Sequence, residues 1–296
     1  MDELLGLDGV DLDGAVDEED ASDDGVSGGG SGVARVAAAD VSAAEFARRF
    51  VATSTPAVMT DCDGEGWWPA WCTAAALTAH YGGRTVAVEG TRGTLRDFIS
   101  NLDEEERYLR NVHLDDFLTK ADAARLVLPP PLGENCIGNY DVPGAWRRWF
   151  ELFVLPAKCR GYPFLHRDAC CTSSYSMQVE GRKRFTIYRP EDQCYLYTHP
   201  PSHCRSAIED GGHSASLDKY PLFAKARPRT VLLEPGDLMF LPPDWFHTTR
   251  GDGAAHGLTI GGNFVAPATE GPFAASYAEF QQFRALSSAG AAHIVR

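Results

Sequence analysis

Pro235-Gly236-Asp237-Leu238-Met239-Phe240-Leu241-Pro242-Pro243-Asp244-Trp245-Phe246-His247 reads as a turn, a buried strand, a second turn and then a histidine. Its counterpart upstream is His166-Arg167-Asp168, at the end of a strand-like stretch. In an extended chain residues i and i+2 face the same way, so His166 and Asp168 can aim at one point. Two imidazoles and a carboxylate form the facial set that holds non-haem Fe(II) and leaves coordination positions open. An isolated His-x-Asp is more often a surface polar pair. The apolar run and turn that lead into His247 are what make a metal site the better reading here.

Outward from that segment, the chain after Pro129-Pro130-Pro131 is a series of short apolar stretches separated by Gly and Pro. Strands are expected at 149–155, 174–179, 184–188, 230–233, 238–241 and 258–264. This pattern belongs to a sandwich or barrel, so the fold class is mainly β with flanking helices. Residues 189–228, rich in His, Pro, Gly and Ser, make a long insertion between strands, and loops of that length are commonly functional. Ahead of the core, Ser42-Ala43-Ala44-Glu45 has the form of a capping box opening a helix through Phe50. A short strand is expected at 56–59, and helices at 73–81 and 94–102. A closing helix is expected at 273–286, with the last ten residues frayed. The chain therefore divides into an acidic tail with a Gly-rich joint (1–34), a helical and mixed part of the catalytic domain (35–130), the β core (131–270) and a C-terminal helix with a frayed end (271–296).

Charge is unevenly distributed. Residues 1–32 carry eleven Asp and Glu and no Lys or Arg, so of the net −14 only the difference, −3, remains for the rest. Neither part has the basic excess typical of nucleic-acid binders, which makes a nucleic-acid substrate the less expected one. The tail is a place where a partner protein could dock. The start of the chain has no basic-then-apolar signal pattern and no Arg-rich transit pattern, and no apolar run is long enough to span a bilayer. The expectation is an intracellular protein of the nucleus or cytoplasm, with its eight cysteines reduced and no membrane partner. Cys194, His199, His203 and Cys204 have donors suited to Zn²⁺, but adjacent His203 and Cys204 are not usual zinc spacing, so a polar loop is expected.

Strand alternation adds one more candidate. Lys183, Phe185 and Ile187 fall on one face while Arg182, Arg184 and Thr186 fall on the other. A lysine on an apolar face is costly to bury unless an anion meets it.

Residues 163–265 resemble the catalytic core of Jumonji-C (JmjC) dioxygenases of the cupin superfamily, in the branch of protein hydroxylases and arginine-demethylase-like proteins. The resemblance is carried by His166-Arg167-Asp168, Thr172-Ser173-Ser174-Tyr175, Gln178 through Phe185, Pro235-Gly236-Asp237, Trp245-Phe246-His247 and Gly262-Asn263-Phe264. Weaker likeness extends upstream through Trp67-Trp68-Pro69-Ala70-Trp71, 94–99 and Tyr108-Leu109-Arg110-Asn111. The resemblance implies a double-stranded β-helix, a cupin-like jelly roll. It implies Fe(II) on His166, Asp168 and His247, with 2-oxoglutarate and O₂ as cosubstrates. Lys183 would anchor the distal carboxylate of 2-oxoglutarate, seventeen residues after His166. Ser176, Thr172 and Asn263 would lie near the cosubstrate, although Ser176 stands where that branch commonly has Asn. Tyr175 and Trp245 would line the site. The implied reaction hydroxylates, or oxidatively demethylates, a protein side chain. The alternatives are a catalytically silent interaction module and a hydroxylase of RNA nucleosides on the same fold.

Overall fold

The computed structural model describes residues 32–67, 72–88, 91–102, 108–147, 149–156, 164–200, 204–208, 217–253 and 256–294. Twelve strands are described: β1 (Ala34–Ala37), β2 (Ala57–Thr60), β3 (Thr85–Val88), β4 (Thr91–Thr94), β5 (Leu109–His113), β6 (Glu151–Leu155), β7 (Ser173–Glu180), β8 (Lys183–Tyr188), β9 (Arg229–Leu233), β10 (Leu238–Leu241), β11 (Phe246–Gly251) and β12 (Gly257–Phe264). Seven join in one sheet in the order β1-β2-β10-β7-β12-β6-β5. A second sheet has the order β11-β8-β9, and β3 and β4 form a separate hairpin. Apart from the parallel β1–β2 pair, every pairing is antiparallel. Two mainly antiparallel sheets with crossing connections are the jelly-roll arrangement anticipated from the cupin resemblance.

The large sheet has two chemically distinct faces. Tyr175, Met177, Leu238, Phe240, Ile260 and Phe264 point to one side, against Phe46, Phe50, Leu77 and Leu95 of the flanking helices. On the other side Val58, Met239 and Leu241 meet Phe185 and Ile187 of the small sheet. Hydrophobic burial on both faces holds the layers together, while the small polar residues Ser174 and Ser176 leave space between the sheets.

Local signals explain the flanking elements. Ser42 Oγ accepts from Glu45 N at 3.3 Å and opens α1 (Ala43–Phe46), which continues as a π-turn over Ala47–Val51. Thr73 caps α2 (Ala74–Tyr81), and Thr94 caps α3 (Leu95–Ser100). Gly181 turns between β7 and β8 with φ 64°, and a side chain there would collide with the His256 carbonyl. The closing helix α4 (Glu270–Ile294) begins earlier than expected and is described to Ile294. Its Phe273 packs edge-on against Tyr140 at 5.0 Å, so contacts with the core, not propensity alone, set its start.

Gly32 onward forms one compact unit. The acidic tail lies outside the described residues, and its boundary is earlier than residue 34. Val33 is 8% exposed in the core beside Trp245, and Ala34 begins β1. Among the described residues no helix is long and apolar enough to cross a membrane.

Candidate active site

His166, Asp168 and His247 converge so that one donor atom from each lies within 4.8 Å of the others. Among the described residues this is the group whose donors fit a metal ion. The backbone sets the spacing of the two imidazoles. His247 N donates to the His166 carbonyl at 2.6 Å, His166 N donates to the His247 carbonyl at 3.1 Å, and the rings sit 4.2 Å apart. His247 Nδ1 lies 3.2 Å from the Trp245 carbonyl, which can only accept, so Nδ1 carries the proton and Nε2 keeps its lone pair for a metal. Burial, with His247 and Arg110 nearby, holds the His166 imidazole well below its usual pKa and keeps it neutral for coordination.

A charge pair braces the two segments that carry these ligands. Arg167, between His166 and Asp168, donates to Asp244 at 2.5 Å, and Asp244 makes the left-handed turn (φ 68°) that enters β11. Thr172 Oγ1 donates to the Ala169 carbonyl at 3.0 Å and accepts from Asn263 Nδ2 at 2.8 Å. Thr172 and Asn263 thus fix the turn that follows Asp168.

Deeper between the sheets, Lys183 is 4% exposed. Its ammonium is surrounded by the rings of Phe153 at 5.1 Å, Phe185 at 5.4 Å and Tyr108 at 5.9 Å, and donates to the Tyr108 hydroxyl at 3.4 Å. No carboxylate accompanies it among the described residues, and burial pushes its pKa down to about 7. Cation–π contact offsets only part of the cost of burying an ammonium. Ser176 lies opposite Gly261, where any side chain would collide with the Tyr175 carbonyl at 2.5 Å before meeting Ser176 Cα at 3.3 Å and the Phe153 ring at 3.5 Å. The close backbone approach requires the glycine, and its missing side chain leaves a cradle by the Phe153 ring that flanks Lys183.

At the metal ligands, Phe164 packs on His166 with ring centroids 5.4 Å apart. The Arg205 guanidinium stacks on Phe164 at 4.0 Å, and Arg110 approaches the same ring at 6.0 Å. Arg205 was not singled out from sequence, and Tyr108 entered only as the first residue of the weaker upstream likeness, without a role.

Two expectations are corrected. Tyr175 does not line the site. Because Ser174 and Ser176 take the inner face, alternation turns Tyr175 outward, where its hydroxyl donates to the Trp149 carbonyl at 3.0 Å. Trp245 is also turned away, its Nε1 donating to the Ser54 carbonyl at 3.1 Å, and only its backbone carbonyl reaches His247. Of the zinc candidates, His203 lies outside the described residues, and Cys194, His199 and Cys204 do not join any metal-capable group there. The seven described cysteines are thiols, and burial pushes that of Cys170 up to about 12.

Comparison with known proteins agrees with this geometry. A model of the cupin-like domain matches residues 161–264. A tRNA wybutosine-synthesizing protein 5 from Mus musculus is 40% identical over 165 residues, covering 55% of this chain and 48% of that protein. Its Gallus gallus namesake is 43% identical over 74 residues, 25% of this chain and 22% of its own. Jumonji C domain-containing protein 5 from Drosophila melanogaster is 30% identical over 83 residues, 28% of this chain and 21% of that protein. The chain thus spans about half the length of the mouse relative and less of the others. With the two-sheet jelly roll and the convergence of His166, Asp168 and His247, these matches identify residues 161–264 as a cupin-like domain, similar to that of a Jumonji C domain-containing protein.

Proposed function

We propose that this chain is an Fe(II)- and 2-oxoglutarate-dependent oxygenase that hydroxylates a nucleoside of tRNA. The observation that carries the cosubstrate is Lys183, a buried cation with no carboxylate partner, in the same inter-sheet space as a facial donor set. A dicarboxylate supplies the missing anion at one end and two donor oxygens at the other. Fe(II), O₂ and 2-oxoglutarate bound there would supply oxidative decarboxylation to succinate and CO₂, with one oxygen atom delivered to a substrate C–H bond. The chain's own residues do the rest. His247 presents Nε2 because Trp245 holds Nδ1–H, and the Arg167–Asp244 pair keeps the ligand-bearing segments in register. The apolar walls of Phe185 and Ile187 exclude water beneath the site.

The nucleoside reading is favoured over the protein side chain expected from sequence. Several relatives bear a tRNA-modifying name, and half-buried Arg205, stacked on buried Phe164 beside His166, offers a guanidinium plane on which a nucleobase can stack. The experiment is incubation of the full chain with Fe(II), 2-oxoglutarate and bulk tRNA, followed by succinate assay and nucleoside mass spectrometry. The expected result is tRNA-stimulated succinate and a nucleoside heavier by one oxygen atom. Stimulation by protein lysate but not by tRNA would restore the protein-substrate reading, and no iron-dependent succinate under any condition would make the domain a silent interaction module.

A further inference from the structure

A second basic feature lies apart from the metal donors. A groove of about 930 Å³ runs between residues 53–56, the start of the β8–β9 insertion and the approach to β9. Arg189, Lys225, Arg227 and Arg229 line it, against only Glu191 and Asp192. Asp192 is buried, and its carboxylate accepts from Arg227 N at 3.2 Å, so it is committed to the backbone beside it. Glu191 is exposed. No carboxylate pairs with any of the four cations among the described residues. Arg229 lies 5.6 Å over the Trp245 ring and donates to the Gly32 carbonyl at 3.3 Å, leaving its charge uncompensated.

Burial and then the like charge of Arg189 both lower the pKa of Arg229. Keeping two guanidiniums near each other with no counterion costs free energy, which a bound anion returns. The cations also have an order. Arg227 and Arg229, two positions apart on the approach to β9, both line the groove. Successive sites in such a row stand roughly 6–7 Å apart, which suits a chain of anionic groups better than a single anion.

We propose that this groove seats the phosphodiester backbone of the tRNA substrate. The inference rests on the tRNA reading above and assigns the surface that holds the strand while its target nucleoside enters the metal site. The groove shares no residue with the metal donors or the Lys183 cradle. Trp245 on its wall is nevertheless two residues from His247, so a strand held there lies along the segment that carries a metal ligand. The row places phosphates and carries no sequence readout, so it would bind many RNAs and leave choice of nucleoside to the metal site.

The test uses the full chain, fluorescein-labelled bulk tRNA and anisotropy across a KCl series. Lys225→Ala/Arg227→Ala removes two exposed cations with no side-chain partner in the fold, and a second variant adds Arg189→Ala and Arg229→Gln. The double variant should weaken binding at least tenfold near ~0.1 M salt and flatten the slope of log affinity against log salt by about 1.4–1.8, the contribution of two phosphate contacts. The quadruple variant should lose more of both, while tRNA-independent turnover of 2-oxoglutarate stays at the wild-type rate. Unchanged affinity and slope in both variants would overturn the proposal, as would loss of binding to a poly-glutamate peptide with tRNA binding intact. If the wild type oxidises tRNA and the variants bind it equally well, the groove assignment fails and the tRNA reading stands. If the wild type neither binds nor oxidises tRNA, both fail.

Discussion

The Lys183 ammonium lies 3.4 Å from the Tyr108 hydroxyl, two groups 75 positions apart in sequence, and no described carboxylate pairs with the ammonium. The phenol holds the ammonium at a fixed height among three rings without neutralising it. The pair is therefore complementary to one end of a dicarboxylate.

Lys183→Ala should raise the dissociation constant of 2-oxoglutarate by about 10²-fold or more, because a charge-assisted contact in a dry site is lost. Iron affinity should hardly change, since no ligand is touched. Tyr108→Phe should have a smaller effect in the same direction. Calorimetric titration with 2-oxoglutarate and anaerobic titration with Fe(II) separate the two, and unchanged 2-oxoglutarate affinity would remove Lys183 from the site.

The lowered pKa of Lys183 predicts two pH effects of definite sign. Only the ammonium binds the anion, so 2-oxoglutarate affinity should fall as pH rises above about 7. In the ligand-free protein the unfolded lysine, with its ordinary value of 10.5, binds more protons than the folded one between about 7 and 10.5. Stability therefore rises with pH across that window through this group. The contribution should be missing from Lys183→Met, and melting curves of both proteins between pH 7 and 10 check it. Parallel curves would show that the ammonium is not desolvated.

Asp168→Ala and His247→Ala should each abolish tight Fe(II) binding in a protein that otherwise takes up about one ion per chain. Wild-type iron content in both variants would contradict the metal assignment.

Arg167→Ala should lower Fe(II) affinity about 10–100-fold although Arg167 offers no donor to the metal. The pair with Asp244 at 2.5 Å links the segment holding His166 and Asp168 to the turn before His247. Asp244→Asn should lose part of the same affinity, and the double variant should lose less than the sum. Additive losses would mean that the two residues act separately.

Gly262→Ala should destabilise the fold by about 1–3 kcal/mol or more, because its new methyl group meets the Trp149 carbonyl. That oxygen also accepts from Tyr175, so the outer aromatic packing moves with it. Gly271→Ala, where nothing lies within 4 Å, is the control and should be neutral or stabilising within α4. Equal chemical denaturation midpoints for the two variants would refute the close approach.

The parts of the site legible in sequence are those where neighbouring residues share one physical task. Lys183, Phe185 and Ile187 alternate with polar residues, and in the structure all three are buried. β10 is found at the expected residues because Leu238-Met239-Phe240-Leu241 is apolar throughout and buried throughout. β11 was not anticipated as a strand. Phe246-His247-Thr248-Thr249 looks polar, yet all four positions are buried, His247 and Thr249 on one face and Phe246 and Thr248 on the other. Tyr175 was misread for the opposite reason. Tyr175 belongs to the apolar cluster that packs on the flanking helices, and the half-buried serines take the other face, so a large aromatic beside the motif does not mark a site-lining residue. Arg205 reaches the site by topology with no local pattern to mark it, and for Tyr108 the upstream likeness marked the stretch but not the contact with Lys183.

The reciprocal backbone hydrogen bonds between His166 and His247 have a consequence for how this domain can change over generations. Main-chain groups hold the two positions opposite each other, and every residue type except proline supplies those groups. A substitution that removes an imidazole therefore deletes the chemistry while leaving the strand contact that frames it. Selection for a folded protein gives no protection to the ligands, which persist only as long as their chemistry is itself under selection. Descendants with the same outline and an incomplete donor set are accessible in a single step.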